Sequence, residues 1–413
     1  MKKARRFSAI LLTLGAVIAL VAVSATAAPA KVTRAAACGA IPDVAPTDPS
    51  NLLPTLKLTN AQLRDYTGWG HTLLKSSWSN WKPSHKPPYK VAVVWSQPAN
   101  GFNDYNYHLI QKFLKRSPLI SSVTATQASS ATAIADQLQQ YNAAVQSKPD
   151  LIIFSPLAPP AAVAAVQAAG QQGIPTISVY NNIDTPYAVS IAANPYLNGA
   201  TMASGLVKAL GGSGNVLEIL GSPQAGTTID EAAAWKTIFG DCPGIKVLGT
   251  ALGFFATAVA KGSTIGFLAS HPDKVDGAIE TAAMAQGVLQ AFLQSGRPMP
   301  VIADGQAQKS VGAYWLANAS KGYKGVSIIG GATQFASLAT SVALRMLNGQ
   351  GPKINYIPWR YHSASAAELK TLISPSWTTD TPGAIELPKK YWWTTADLNR
   401  MFNHPNLNEG IKY

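Results

Sequence analysis

At 413 residues with 47 % hydrophobic side chains, the chain has material for two or more domains with a sizeable core. Its formal net charge is +13, and setting aside Lys2, Lys3, Arg5 and Arg6 lowers it to +9. The remaining cations are scattered without a basic stripe, which speaks against nucleic-acid binding and for a solvated surface.

The four early cations precede an apolar run from Ala9 to Val23, followed by the small-x-small sites Ala25-Thr26-Ala27 and Ala28-Pro29-Ala30. This is the layout of a cleavable export signal over residues 1–30. The rival reading, a membrane anchor, needs a span of about 20 apolar residues. No later segment is long and apolar enough to cross a bilayer. Cys38 and Cys242 are the only cysteines. After export they are expected to form one disulfide. The alternative for Cys38 is a lipid-bearing N-terminus, although the bulky aliphatic residue expected three positions earlier is missing.

Residues 31–58, rich in Pro, Ala and Thr, read as an extended linker, and Thr59-Asn60 caps a helix through Ser77. Lys90–Trp95 (KVAVVW) is the first buried strand of an α/β body. Strands are then expected at 122–126, 151–154, 176–180, 188–192, 215–220, 246–251 and 326–329, with helices between them. The helix at 194–210 is closed by Gly211-Gly212. Two stretches repeat one another, Asp150–Val179 and Asp276–Asp304. Each is an apolar strand, an alanine-rich helix, a Gly-containing turn and a second apolar strand. The late proline falls 25 residues after the Asp in the first (Asp150 to Pro175) and 24 in the second (Asp276 to Pro300). Parallel strands joined by a crossover helix need this length, and twin units so far apart predict two similar lobes with a cleft between them. Residues 351–413, rich in Pro and Trp, read as an extension packed on the body through its aromatics.

Dedicated chemistry is not signalled. Gly211-Gly212-Ser213-Gly214 fits neither a dinucleotide nor a phosphate loop, GSPQAG is not a nucleophile elbow, and the six histidines lack metal-ligand spacing. No cofactor is expected. In open parallel sheets ligands sit at the carboxyl ends of the strands. The candidates are therefore Gln97, Asn100, Phe102, Asn103 and Asp104 after the first strand, and Tyr180, Asn181 and Asn182 after the fourth. Phe254, Phe255, Glu280, Thr281, Asp304 and Gln334 follow later strands. Amides, acids and aromatics of this kind suit hydroxyl-rich ligands. Singly, each is also explained as a turn former or a core residue.

In their order and spacing, KVAVVW, PDLIIFSPL, GIPTISV, GSGNVLEILGSP, CPGIKVLGT, SHPDKVDGAIETAAMAQGVLQAF and PVIADG resemble the extracytoplasmic sugar-binding proteins of ABC transporters. The likeness is to the ribose- and galactose-binding type, with the periplasmic binding protein type I fold, and covers about Pro88 to Pro358. The resemblance implies two Rossmann-like lobes with parallel sheets, joined by three hinge crossings near Ala192–Asn194, Ala303–Gly305 and Ala332–Gln334. It divides the body into lobe one (89–191 plus 305–332) and lobe two (192–304 plus 333–350). It implies Asp304 and Gln334 as ligand contacts and Phe102 and Phe255 as stacking residues. The family's arginines fall on Tyr180-Asn181 and on Ala233 or Trp235, and its Asn-Asp pair reads Thr281-Ala282 with Glu280 before it. The pocket so implied loses arginines and gains aromatics. The expected function is capture of a sugar, polyol or related small molecule by a monomeric exported protein that delivers it to an ABC permease, without enzymatic activity. A ligand-sensing partner of a membrane receptor, or an exported α/β enzyme, is the alternative.

Overall fold

A computed structural model describes residues 37–97 and 100–405, so the expected export signal lies outside the described residues. After α1 (Asn60–Leu63), the body opens with β1 (Tyr89–Trp95), α2 (Gly101–Arg116), β2 (Ile120–Gln127), α3 (Ile134–Gln146), β3 (Leu151–Phe154), α4 (Pro159–Gln171), β4 (Thr176–Val179) and β5 (Ala188–Ala192). A second series runs through α5 (Pro195–Ala209), β6 (Ser213–Leu220), α6 (Gly226–Gly240), β7 (Gly244–Leu252), α7 (Thr257–Ser270), β8 (Gly277–Glu280), α8 (Ala285–Ser295), β9 (Val301–Asp304), α9 (Lys309–Asn318) and β10 (Val326–Ile329). The chain finishes with α10 (Ala332–Leu347), β11 (Tyr356–Pro358), β12 (His362–Ser363), α11 (Ala366–Leu372) and α12 (Thr395–Arg400).

These strands form two six-stranded sheets, ordered β11-β5-β4-β3-β1-β2 and β12-β10-β9-β8-β6-β7. In each, the first strand of its series lies between the second and the third, and the twin units β3–α4–β4 and β8–α8–β9 hold equivalent places. All pairs are parallel except β10 with β12. Strands β3, β4 and β5 are buried throughout. Helices cover both sheet faces, so their apolar runs do not alternate. Among the described residues, no helix is long and apolar enough to cross a membrane.

The lobe boundaries differ from expectation at their ends. Residues 305–332 do not return to the first lobe, because β10 pairs with β9 and extends the second sheet. Residues 333–350 do not join the second lobe, because α10 buries its apolar face against the first lobe, with Phe335, Ala339 and Met346 in the same core as Val91 and Ile110. The chain therefore crosses between lobes at Ala193–Asn194, at Gly330–Gly331 and at Trp359–Tyr361. Ala303–Gly305 is no crossing: it is the β9-to-α9 turn inside the second lobe.

The N-terminal segment is not a spacer. Leu53, Leu56, Tyr66, Trp69, Leu73 and Trp78 are buried in the first-lobe core. The helix expected over 59–77 stops after one turn of α-helix and one of 3-10. Gly68 takes φ +66°, and the following backbone bonds elsewhere, Gly68 N–H to Val44 and Leu73 N–H to Thr47. Cys38 is disulfide-bonded to Cys242, with Cα atoms 4.7 Å apart and a sequence separation of 204. That bond occupies the sulfur the lipid alternative requires. The segment also grips two crossings. Asn194 Nδ2 donates to the Asp65 and Thr67 carbonyls at 3.1 and 2.7 Å, and Arg360 pairs with Asp65 at 2.9 Å. The C-terminal extension packs through aromatics as its composition suggests. Trp393 is buried, donates to the Pro358 carbonyl and lies under the Arg360 guanidinium.

Candidate functional site

The carboxyl ends of both sheets face one another across a cavity of about 110 Å³. The first lobe lines it with Ser96, Asn100, Phe102 and Asn103 after β1, Ser155 and Leu157 after β3, and Tyr180 and Asn181 after β4. The second lobe brings Ser222, Thr227 and Glu231 around the start of α6, Phe254 and Phe255 after β7, Ala282 and Ala283 after β8, and Gln306 after β9. The third crossing adds Trp359 and Tyr361.

Local backbone is bent to present these groups. Tyr180, Phe254, Phe255, Ala282 and Ala283 all take left-handed φ between 48° and 68°. For side chains larger than glycine this conformation is strained, and it is tolerated where packing over-determines it. Gly221 shows such packing: a Cβ there would lie 2.2 Å from the Phe255 ring. The aromatic wall is continuous. Tyr180 stacks on Phe335 (4.5 Å between centroids, 12°), Phe102 stacks on Trp359 (5.4 Å, 24°), and Trp359 meets Tyr361 at 4.7 Å.

Polar groups on the first lobe form a fixed chain. Trp95 Nε1 donates to Asn103 Oδ1 at 2.9 Å, Asn103 Nδ2 donates to Ser96 Oγ at 3.0 Å, and Ser96 shares a 3.0 Å bond with Ser155. Contacts across the cleft hold the lobes together. Asn100 Nδ2 donates to the Phe255 carbonyl at 2.7 Å, and Thr227 Oγ1 donates to Asn181 Oδ1 at 3.2 Å. Beside the cavity, His71 lies between Asp184 of the first lobe (3.1 Å) and Asp230 of α6 (3.4 Å). Glu231 is 1 % exposed. Asn198 Nδ2 donates to its Oε1 at 2.7 Å, while Oε2 has no partner. Burial, reinforced by Glu280 and Asp230, pushes this carboxyl well above the usual carboxylate range.

Of the residues singled out from sequence, Gln97, Asn100, Phe102, Asn103, Tyr180, Asn181, Phe254 and Phe255 line the cavity. The others do not. Asp104 lies on the outward side of α2, 3.6 Å from His108. Trp235 is fully buried in the second-lobe core, and Glu231, one turn earlier, is the member of α6 that reaches the cavity. Glu280, Thr281 and Asp304 stand behind the wall and satisfy backbone N–H groups. Glu280 accepts from Met284 (2.8 Å) and Gly305 (2.9 Å), Thr281 from Gly221 (2.6 Å), and Asp304 from Gln306 (3.0 Å) and Gln308. Burial raises both acids, with Asp304 raising Glu280 further. Gln334 accepts a hydrogen bond from Trp359 Nε1 and so positions that ring from behind. Sequence reasoning missed Ser96, Ser155, Thr227, Glu231, Gln306, Trp359 and Tyr361. The strand-end rule reaches Ser96, Ser155 and Gln306, whereas nothing in the Pro/Trp-rich tail marks Trp359 and Tyr361 as a crossing.

The family described as periplasmic binding protein domain matches residues 91–351. No curated protein matches the chain. Among solved structures, an ABC transporter solute-binding protein from Thermobispora bispora is 21 % identical with a TM-score of 0.63, over 71 % of this chain and 93 % of its own. Another from Bacillus halodurans, with bound myo-inositol, is 18 % identical with a TM-score of 0.61, over 70 % of this chain and 98 % of its own. One from Mycobacterium smegmatis, with bound glycerol, is 15 % identical with a TM-score of 0.61, over 72 % and 99 %. The likeness to these three is one of fold, two α/β lobes built alike. The family match spans well over half of the chain, from β1 to the end of the region that carries α10, and the chain belongs to the periplasmic binding protein domain family.

Proposed function

We propose that the chain is the extracytoplasmic solute-capture component of an ABC importer, that its ligand is a small hydroxylated molecule of sugar or polyol size, and that it passes this ligand to a membrane permease. The observation that carries the reading is the cavity at the carboxyl ends of two parallel sheets, lined by both lobes and by a crossing segment. Ser96, Ser155, Asn181 and Gln306 offer hydroxyl and amide groups to ligand hydroxyls, and Phe102, Phe255 and Trp359 offer faces to the C–H side of a ring. A ligand touching both lobes binds the closed form better than the open one, and that difference drives closure. The bound myo-inositol and glycerol of the two solute-binding proteins similar in fold support a polyol-sized guest. The export signal read over residues 1–30 and the Cys38–Cys242 disulfide suit work outside the cytoplasm.

The test is thermal unfolding of the protein from Lys31 onward against sugars, polyols and their amino derivatives. A compound that binds only the folded form raises Tm by mass action, by about 2.7 kcal/mol of stability at a hundredfold excess over Kd. At least one such compound is expected, and loss of its uptake in cells lacking the gene supports delivery. A flat response across the panel, with unimpaired uptake, overturns the reading.

A further inference from the structure

Resting on the solute-capture reading above, we infer that the captured molecule is a cation, a hydroxylated amine of monosaccharide size, and that Glu231 is the residue that selects it. Three observations meet here. Glu231 lines the cavity at 1 % exposure with Oε2 unpartnered. Among the described lining residues there is no Lys, Arg or His, although the chain as a whole carries +13. Aromatic rings, Phe102, Tyr180, Phe254, Phe255, Trp359 and Tyr361, line the same space.

A buried carboxylate without a counter-ion is costly, and a site that keeps one needs either a proton on it or a cation beside it. Each group facing Glu231 leaves that need unmet. Asn198 of α5 neutralises nothing, Asp230 on its own helix and Glu280 at the end of β8 are acids, and Tyr361 of the third crossing is a neutral phenol held that way by burial. His71, beside Asp230, is taken up by Asp184 and Asp230. In the empty protein Glu231 therefore keeps its proton. A ligand ammonium replaces that proton as the compensating charge, and aromatic faces add cation–π attraction. A neutral polyol gains one hydrogen bond from the protonated acid. An anionic ligand meets the Glu231 carboxyl and no cationic side chain among the described lining residues.

Calorimetric titration of the protein from Lys31 onward with matched probes decides it: D-glucosamine against D-glucose, D-galactosamine against D-galactose, and an aminoinositol against myo-inositol. Each titration is run in two buffers of different ionisation enthalpy. The expected result is that an amine binds at least tenfold more tightly than its neutral twin and releases about one proton. Its affinity should rise with pH, by up to tenfold per unit, while the amine stays protonated. Glu231→Gln, which keeps the shape of the side chain, should abolish both the preference and the proton release. Neutral probes that bind as well as their amines, without proton release and unaffected by Glu231→Gln, overturn this inference and leave solute capture standing. Failure of every probe to bind overturns this inference as well, while solute capture falls only with the flat panel and unimpaired uptake described above.

Discussion

Asn100 joins the two lobes while capping a helix. Its Oδ1 accepts from the Asn103 N–H at 2.8 Å at the start of α2, and its Nδ2 donates to the Phe255 carbonyl at 2.7 Å on the opposite lobe. The two functions separate by substitution. Asn100→Ser keeps a capping oxygen but cannot reach across, so ligand affinity is expected to fall severalfold with Tm nearly unchanged. Asn100→Ala loses the cap as well, costing about 1 kcal/mol of stability. Equal Tm values for the two variants would show that the cap contributes nothing.

The His71 bridge makes the closed form sensitive to pH. Burial opposes the imidazolium charge, but the carboxylates of Asp184 and Asp230 prevail and lift His71 to about 9. A pKa raised on folding stabilises fully below the unfolded value of about 6.5 and is lost as pH rises through about 9. Tm should therefore decline across that window by a few degrees, at about 1 °C per kcal/mol for a chain of this size, given about 2.1 cal/mol/K of unfolding entropy per residue. His71→Gln should remove this part of the slope. A wild-type profile in that variant would exclude the bridge as its source.

Gly221 leaves room for a ring. Gly221→Ala forces Phe255 away from its place against β6 and into the cavity, because the added Cβ meets three ring carbons within 2.6 Å. The expected cost is about 1–3 kcal/mol of stability, as for other overpacked sites, with weakened binding measured by titration. Binding and Tm at wild-type levels would mean that the Phe255 ring does not need this position.

The Cys38–Cys242 bond closes a loop of 204 residues. By chain entropy it contributes about 5 kcal/mol, so the Cys38→Ser/Cys242→Ser double variant should melt well below the oxidised protein, and reduction should have the same effect. The intact mass of the exported protein, without reductant, should be two hydrogens below that of its reduced sequence. A mass increase matching a diacylglycerol would place a lipid on Cys38 instead.

Much of the architecture was legible because it follows from period and length. Both twin units appear where Asp150–Val179 and Asp276–Asp304 placed them, as equivalent strand–helix–strand pieces of two sheets. The strand-end rule found Asn100, Tyr180, Asn181 and Phe255 because it depends only on where a strand stops. The exchange of residues 305–332 and 333–350 between lobes was not legible. Two sheets wound alike present the same pattern to an incoming β–α unit, and only tertiary packing decides which edge it extends. Glu280 and Asp304 read as ligand contacts because an acid after a buried strand serves equally well to hold a sugar or to tie down the next turn. The N–H groups of Met284, Gly305 and Gln306 take the second use. The helix expected through Ser77 failed where Gly68 enters the left-handed region.

The third crossing, Trp359–Tyr361, is both pivot and cavity wall. Opening about this segment would leave the Trp359 indole with Phe102 in the first-lobe core and draw the second-lobe wall, Glu231 included, away from it, so the enclosure would come apart as the lobes part. Escape of a bound molecule then waits on a backbone rotation, a microsecond-to-millisecond event. Residence times should thus converge for guests of different chemistry wherever opening is the slow step, leaving discrimination among them to the encounter and to the closed-state contacts.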